Sequence, residues 1–180
     1  MSTPNKKARW GLVSTARVNR HIIAAARNSE VGEITAVASR NAETAEKYAE
    51  TQKIPNHFPN YNSMLTNDDI DCVYVSLPNN SHTDIVIRAA ENKKHILWEK
   101  PMALTAADVS KMFDAAEKNQ VVLMEGFMNL HSAVVHKARA LLEEGAIGEV
   151  IGMNATFCYT ETRGGFRRTA SIAEGGGVLF

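Results

Sequence analysis

Short apolar runs alternate with helix-length amphipathic stretches along most of this chain, and that alternation restricts its fold more than any other feature. Residues 8–14 read as a strand, and residues 16–28 as a helix with Val18, Ile22, Ile23 and Ala26 on one side. Residues 33–39 form a second strand and 42–53 a second helix, with Asn41 placed to cap it. Pro55 and Pro59 flank His57-Phe58, which fits a short third strand with turns within 54–61, and 61–65 is a brief helix. Residues 71–77 carry a strongly apolar run, Cys72-Val73-Tyr74-Val75, suited to a strand buried on both faces. A helix over 82–92, a strand over 96–98, a helix capped by Thr105 and running to Asn119, and a sixth strand over 121–124 continue the series. Such alternation builds parallel βαβ units, so the fold class is α/β with a doubly wound parallel sheet.

Right-handed crossovers put every strand-to-helix loop on one edge of that sheet, where ligands bind. The edge collects residues 14–17, 39–40, 77–82 and 99–101. In the last of these, Lys100 can approach a substrate oxygen, and Glu99 can hold the ammonium or tune it. Pro101 removes a donor and fixes φ, stiffening the turn that presents Lys100. Alone, this tripeptide reads more simply as a strand ending in a solvated ion pair; the upstream loops reverse that balance.

The loop after the first strand is Gly11-Leu12-Val13-Ser14-Thr15-Ala16-Arg17-Val18-Asn19. A dinucleotide fold places small residues here so that pyrophosphate can approach backbone N–H groups at a helix N-terminus. Ser14 and Ala16 stand where the first two glycines of that motif would be, and Asn19 takes the third place. Small side chains preserve room and Ser14 adds a hydroxyl donor, but a positive φ becomes costlier. The second strand ends in Ser39-Arg40, where NAD-binding folds carry a carboxylate for the ribose 2′-hydroxyl. A hydroxyl and a guanidinium suit a 2′-phosphate instead, so NADP is favoured, with NAD still possible. Leu77-Pro78-Asn79-Asn80-Ser81-His82 leaves the central strand: Pro78 rigidifies the exit, Asn79 offers amide hydrogen bonds, and His82 either faces the crevice or caps its own turn.

Bulk properties exclude other classes. The chain has 180 residues, 44% of them hydrophobic, enough for one large domain or one domain and part of another. Twenty basic and twenty acidic side chains cancel, so no global field draws nucleic acid or an acidic membrane. No stretch approaches the roughly 20 apolar residues of a membrane span. Cys72 and Cys158 lie far apart in strand-like contexts, which predicts buried free thiols and no disulfide or metal pair. The expectation is a soluble cytoplasmic protein without a metal site.

The two motifs Leu77-Pro-Asn-Asn-Ser-His82 and Trp98-Glu-Lys-Pro101, at this spacing, resemble the Gfo/Idh/MocA family of NAD(P)-dependent oxidoreductases. The likeness extends over nearly the whole chain, and the loop Gly11-x-x-Ser-Thr-Ala16 is similar to that of members akin to dihydrodiol and D-xylose dehydrogenases. The resemblance implies a Rossmann domain over residues 1–125 and, from 126 to 180, the beginning of an α+β substrate and dimerisation domain with a large open sheet. It implies hydride transfer between nicotinamide and a carbinol carbon of a sugar, cyclic polyol or dihydrodiol. Lys100 would contact the reacting hydroxyl and the nicotinamide ribose, Glu99 would support it, and the Lys100–Pro101 bond is commonly cis in relatives. Cofactor contacts are then expected from Ser14, Thr15, Ala16, Arg17, Val18, Ser39, Arg40, Leu77, Pro78, Asn79, His82, Glu99, Lys100 and Met128, and a substrate contact from His131.

Residues 133–144 read as a helix ended by Gly145, and 148–159 as a strand opening the second sheet. The basic loop 163–168 is too short for a nucleic-acid site. Residues 174–180 resemble a glycine-rich stretch that in relatives leads to an Asp and a partner His; the chain is expected to be an incomplete form of one nearly twice as long, a homo-oligomer when whole. Two other classes fit less well: a non-catalytic NADP(H)-binding protein or sensor, and a different α/β enzyme such as a transferase, for which no P-loop lysine or acidic metal cluster is present.

Overall fold

All four residues of Cys72–Val75 are buried, as a central parallel strand covered on both faces requires. This strand, β4, sits inside a six-stranded parallel sheet with β1 (Ala8–Val13), β2 (Gly32–Ala38), β3 (Asn56–Phe58), β5 (His95–Trp98) and β6 (Leu123–Glu125). The order is β3-β2-β1-β4-β5-β6, so the chain reverses its winding direction between β1 and β4. A computed structural model gives this architecture and describes residues 6–156, 158 and 170–174. The helices are α1 (Asn19–Arg27), α2 (Ala42–Gln52), α3 (Tyr61–Leu65), α4 (His82–Glu91), α5 (Ala106–Asn119) and α6 (Ala133–Glu143).

Side-chain alternation along the strands makes two cores. Val73, Val75, Ile96 and Trp98 pack with Ile85, Val86 and Met112 on one face. Leu12, Val37 and Tyr74 pack with Ile23 and Ala49 of α1 and α2 on the other. Each fully buried Leu, Val or Ile contributes roughly 1.5–3 kcal/mol, enough for these layers to fix the sheet. Gly11 lies at a break in the β1–β2 register, and a Cβ there would come within 2.8 Å of the Met64 Sδ. A side chain at that position would therefore push the Met64 thioether aside.

The expected caps form. Asn41 accepts from the Thr44 N–H at 2.8 Å, and Thr105 from the Asp108 N–H at 3.1 Å. Gly145 takes a positive φ of 72° just past α6. Asn60 also caps α3, accepting from the Ser63 N–H at 2.8 Å.

Three expectations need correction. The first helix begins at Asn19, because residues 16–18 make single tight turns, Ala16 and Val18 accepting from the Asn19 and His21 N–H groups at 3.1 Å. Residues 149–156 are not a strand: strands exist through pairing, and no partner lies among the described residues, where Ile151 is 98% exposed. Cys158 is accordingly exposed, and only Cys72 is buried. Helix α6 has no buried residue, its Val134 and Leu142 standing open to solvent. The basic loop 163–168 and the glycine-rich residues 175–180 lie outside the described residues.

The edge of the sheet opposite the loops is tied by charge. Arg9 of β1 donates through Nη2 and Nε to the two carboxylate oxygens of Asp71 at 2.7 and 3.0 Å, and through Nη1 to Asp69 at 2.7 Å. Nearby, the buried Lys94 ammonium donates to the carbonyls of Asn67 and Ile70, both at 2.8 Å, and its burial pushes its pKa down. The Arg9 hydrogen bond holds the Asp71 carboxyl down to about 2, against roughly 3.9 for an unfolded aspartate. That stabilisation is complete above about pH 4 and is lost as pH falls through about 2. In urea unfolding from about pH 5 to about pH 2, wild type should lose stability over that window. Asp71→Asn should start less stable and change less; parallel curves would refute the assignment.

Candidate functional site

The loops that leave the carboxyl ends of β1, β2, β4 and β5 gather at one edge, and the reversal between β1 and β4 opens a crevice there. The ends are stitched in sequence by backbone bonds: Ser14 N–H to the Ala38 carbonyl at 3.1 Å, Ser76 N–H to Val13 at 3.4 Å, Glu99 N–H to Val75 at 2.9 Å, and Gly126 N–H to Trp98 at 2.7 Å. This continuity brings the loops 14–18, 39–40, 76–82 and 99–101 onto one wall.

In the first loop Ser14 is buried and adopts a positive φ of 118°, a region that favours glycine. Its Oγ lies 2.7 Å from Ser76 Oγ and accepts the Ala16 N–H at 3.1 Å. Asn19, fully buried, donates through Nδ2 to the Ser14 carbonyl at 2.8 Å and accepts from Ser76 Oγ at 2.6 Å. The Ser14 hydroxyl thus turns into the fold instead of outward as a donor to a ligand. The N–H groups of Thr15, Arg17 and Val18 have no acceptor among the described residues, and they open α1 beside a depression lined by Ala16, Arg17, Val18, Arg20 and His21. Such a turn suits an anion.

At the end of β2, Ser39 is half-buried and Arg40 exposed, and neither position carries a carboxylate. The Arg40 guanidinium stands against the Tyr61 hydroxyl, opposing the upward push that burial gives that phenol. At the end of β4, Leu77 is half-buried, Pro78 exposed and Asn79 buried in a 3₁₀ turn, Asn79–Ser81.

His82 is fully buried. Its Nε2 lies 2.9 Å from the Leu77 carbonyl oxygen, and its Nδ1 lies 3.1 and 3.3 Å from those of Pro101 and Met102. The ring is therefore a brace between the β4 and β5 loops, closed to solvent, rather than a side chain facing the crevice. Trp98 adds a second tie, its indole N–H donating to the Met102 carbonyl at 3.1 Å.

Glu99 and Lys100 are half-buried at the end of β5, and the Lys100–Pro101 bond is cis. Lys100 is engaged within the fold. The Tyr74 hydroxyl donates to Glu99 Oε1, an interaction the sequence reading missed. Tyr74 pairs with Leu97 across β4 and β5, and Glu99 follows two residues later, so the phenol and the carboxylate project from the same face. Burial and the neighbouring Glu99 both raise the Tyr74 pKa far above the usual phenol range, keeping it a donor. Beyond β6, Met128 and His131 stand exposed on a separate 3₁₀ turn, Met128–His131.

A parallel sheet wound in this order, with a tight turn of open N–H groups after β1, defines a dinucleotide-binding fold. Residues 8–127 match the model of the GFO_IDH_MocA family, described as an oxidoreductase family with an NAD-binding Rossmann fold, and the chain belongs to that family. It is 34% identical over 151 residues to trans-1,2-dihydrobenzene-1,2-diol dehydrogenase of Xenopus laevis, covering 83% of this chain and 46% of the relative. A D-xylose 1-dehydrogenase (NADP(+)) of Haloferax volcanii is 33% identical with the same coverages. Among solved structures, the 3-ketoreductase KijD10 of Actinomadura kijaniata, in complex with NADP and TDP-benzene, superposes with a TM-score of 0.75 at 32% identity, over 80% of this chain and 44% of that one. The chain spans about half the length of the curated relatives it matches.

Because His82 bridges two loops from the interior, His82→Ala leaves carbonyls unsatisfied as well as a cavity. It should cost about 2–4 kcal/mol in urea unfolding. A loss below about 0.5 kcal/mol, the range of unremarkable surface substitutions, would rule out the brace.

Proposed function

We propose that the chain binds NADP and serves hydride transfer between nicotinamide and a carbinol carbon of a sugar, cyclic polyol or dihydrodiol. The observation that carries this reading is the β5 turn: Lys100 sits at the end of the strand beside the β1–β4 crevice, next to a Glu99 carboxylate fixed by Tyr74. The named activities of the relatives support the reaction class.

The crevice fits the cofactor on its own terms. Thr15, Arg17 and Val18 present N–H groups without acceptors among the described residues, beside the small Ala16, where a pyrophosphate would lie. Ser39 and the cationic Arg40 would hold a 2′-phosphate, and the lack of a carboxylate there removes the usual partner of an NAD ribose. Leu77, Pro78 and Asn79 would flank the nicotinamide half, with Met128 at the rim. When bound, NADP supplies the ring carbon that exchanges hydride with substrate. Lys100 would hydrogen-bond the substrate hydroxyl and take its proton, Glu99 would orient Lys100, and His131 would meet the substrate.

Residues 1–125 would form the cofactor domain, in keeping with the span of the family match, and 126–180 would begin a substrate domain, in keeping with an α6 that buries nothing here. Its partners would be a small sugar or polyol and further copies of itself. No described helix is long and apolar enough to cross a membrane, and both cysteines are free, as a reducing cytoplasm would keep them.

Fluorescence titration with NADPH and NADH tests the cofactor assignment. Arg40→Ala should weaken NADPH by at least about tenfold and leave NADH nearly unchanged, the loss expected for a charge-assisted phosphate contact. Equal affinity of wild type for both would sink the Arg40 assignment. Lys100→Met should keep NADPH affinity within about threefold yet lower polyol oxidation by at least about a hundredfold. NADPH binding by wild type with no turnover of any polyol would favour a sensor.

A further inference from the structure

Two serines and one asparagine at the cofactor turn form a closed circuit whose direction can be derived. A serine hydroxyl has one proton to donate. Ser76 Oγ lies nearest Asn19 Oδ1, at 2.6 Å, and donates there. The 2.7 Å contact between Ser14 Oγ and Ser76 Oγ must then run from Ser14 to Ser76. Ser14 Oγ accepts the Ala16 N–H in turn, and Asn19 returns its Nδ2 proton to the Ser14 carbonyl. All three side chains are at least nine-tenths buried, at 9%, 8% and 0% exposure for Ser14, Ser76 and Asn19, so water does not substitute for any link.

Three of the four links end on the residue with the unfavourable backbone, and the fourth joins its two partners. Ser14 holds φ at 118°, a conformation that a glycine reaches freely and an L side chain resists. The circuit grips it from both sides, by the hydroxyl and by the carbonyl. It also joins the ends of β1 and β4 to the first residue of α1, the elements that bound the crevice.

We propose that Ser76 and Asn19 are positioning residues for the cofactor: they hold Ser14 in the positive-φ state that the missing glycine would supply, and so set the open N–H groups of Thr15, Arg17 and Val18 toward a pyrophosphate. This rests on the cofactor reading above. The circuit acts through backbone conformation; neither Ser76 nor Asn19 needs to touch the ligand.

The test is NADPH affinity by fluorescence titration, with thermal midpoints recorded for the same proteins. Ser14→Gly should bind within about twofold of wild type, because glycine needs no grip. Ser14→Ala, which keeps a Cβ and loses the hydroxyl, should bind at least about tenfold more weakly. Ser76→Ala should lose affinity by a similar factor, and Ser14→Gly added to it should restore most of the loss. A purely structural role for Ser76 predicts no such restoration. Equal affinities for Ser14→Gly and Ser14→Ala, or a Ser76→Ala defect that glycine leaves in place, would overturn the proposal. If Ser76→Ala does not fold, the Ser14 pair decides alone. Should wild type bind neither dinucleotide, the cofactor reading fails. The thermal midpoints then judge the circuit: Ser14→Ala below Ser14→Gly sustains it, and equality overturns it.

Discussion

The turn after β1 depends on keeping a serine where the backbone prefers a glycine. Ser14 at φ 118° is tenable because its hydroxyl and carbonyl are both bound from within, to Ser76 at the end of β4 and Asn19 at the start of α1. Burial makes that arrangement exacting, since a buried polar group that loses its partner regains nothing from solvent. The crevice wall is therefore set by hydrogen bonds among side chains, whereas the sheet behind it is set by apolar packing.

The same division runs through the molecule. The middle of each central strand is apolar, and the buried polar groups are concentrated at strand ends. One edge is closed by Arg9 with Asp71 and by Lys94 with two carbonyls, contacts that fix where strands start. The loop edge carries the serine circuit, the His82 brace and the Tyr74–Glu99 bond. Polar groups in these positions satisfy the backbone where the sheet ladder stops, which a purely apolar core could not do.

Much of the fold was legible because strand and helix periods are local. The cysteine-to-valine run of β4, the caps at Asn41 and Thr105, and Gly145 each speak through one residue type in a fixed place. Residues 148–156 show the limit: Val150 and Ile151 have strand propensity, but a strand needs a neighbour, and propensity cannot supply one. The site was legible as loops and not as contacts. Glu99 and Lys100 stood out as charges at a strand end, yet Tyr74, which holds Glu99, looked like another core residue. A signal was available, for a tyrosine inside a buried strand must find a partner for its hydroxyl. Ser76 was hidden in the same way between Val75 and Leu77, and His82 was left open between the crevice and its own turn because two of its three carbonyl neighbours, Pro101 and Met102, come from a loop distant in sequence.

His82 has a further consequence for how the site behaves. The β4 loop, beside the serine circuit, and the β5 turn, which carries Lys100, share one buried ring as a common anchor. A displacement of one loop changes the hydrogen bonding of the other, so the two cannot move independently at low cost. Trp98 reinforces the coupling: its indole holds the Met102 carbonyl, and its ring packs edge-on against Phe113 of α5 at 6.4 Å between centroids. The crevice wall and the lysine turn are thereby tied together through β4, β5 and the residues between them. Sites assembled on strand ends in this manner keep their geometry without a ligand to organise them, and the entropic cost of binding falls accordingly.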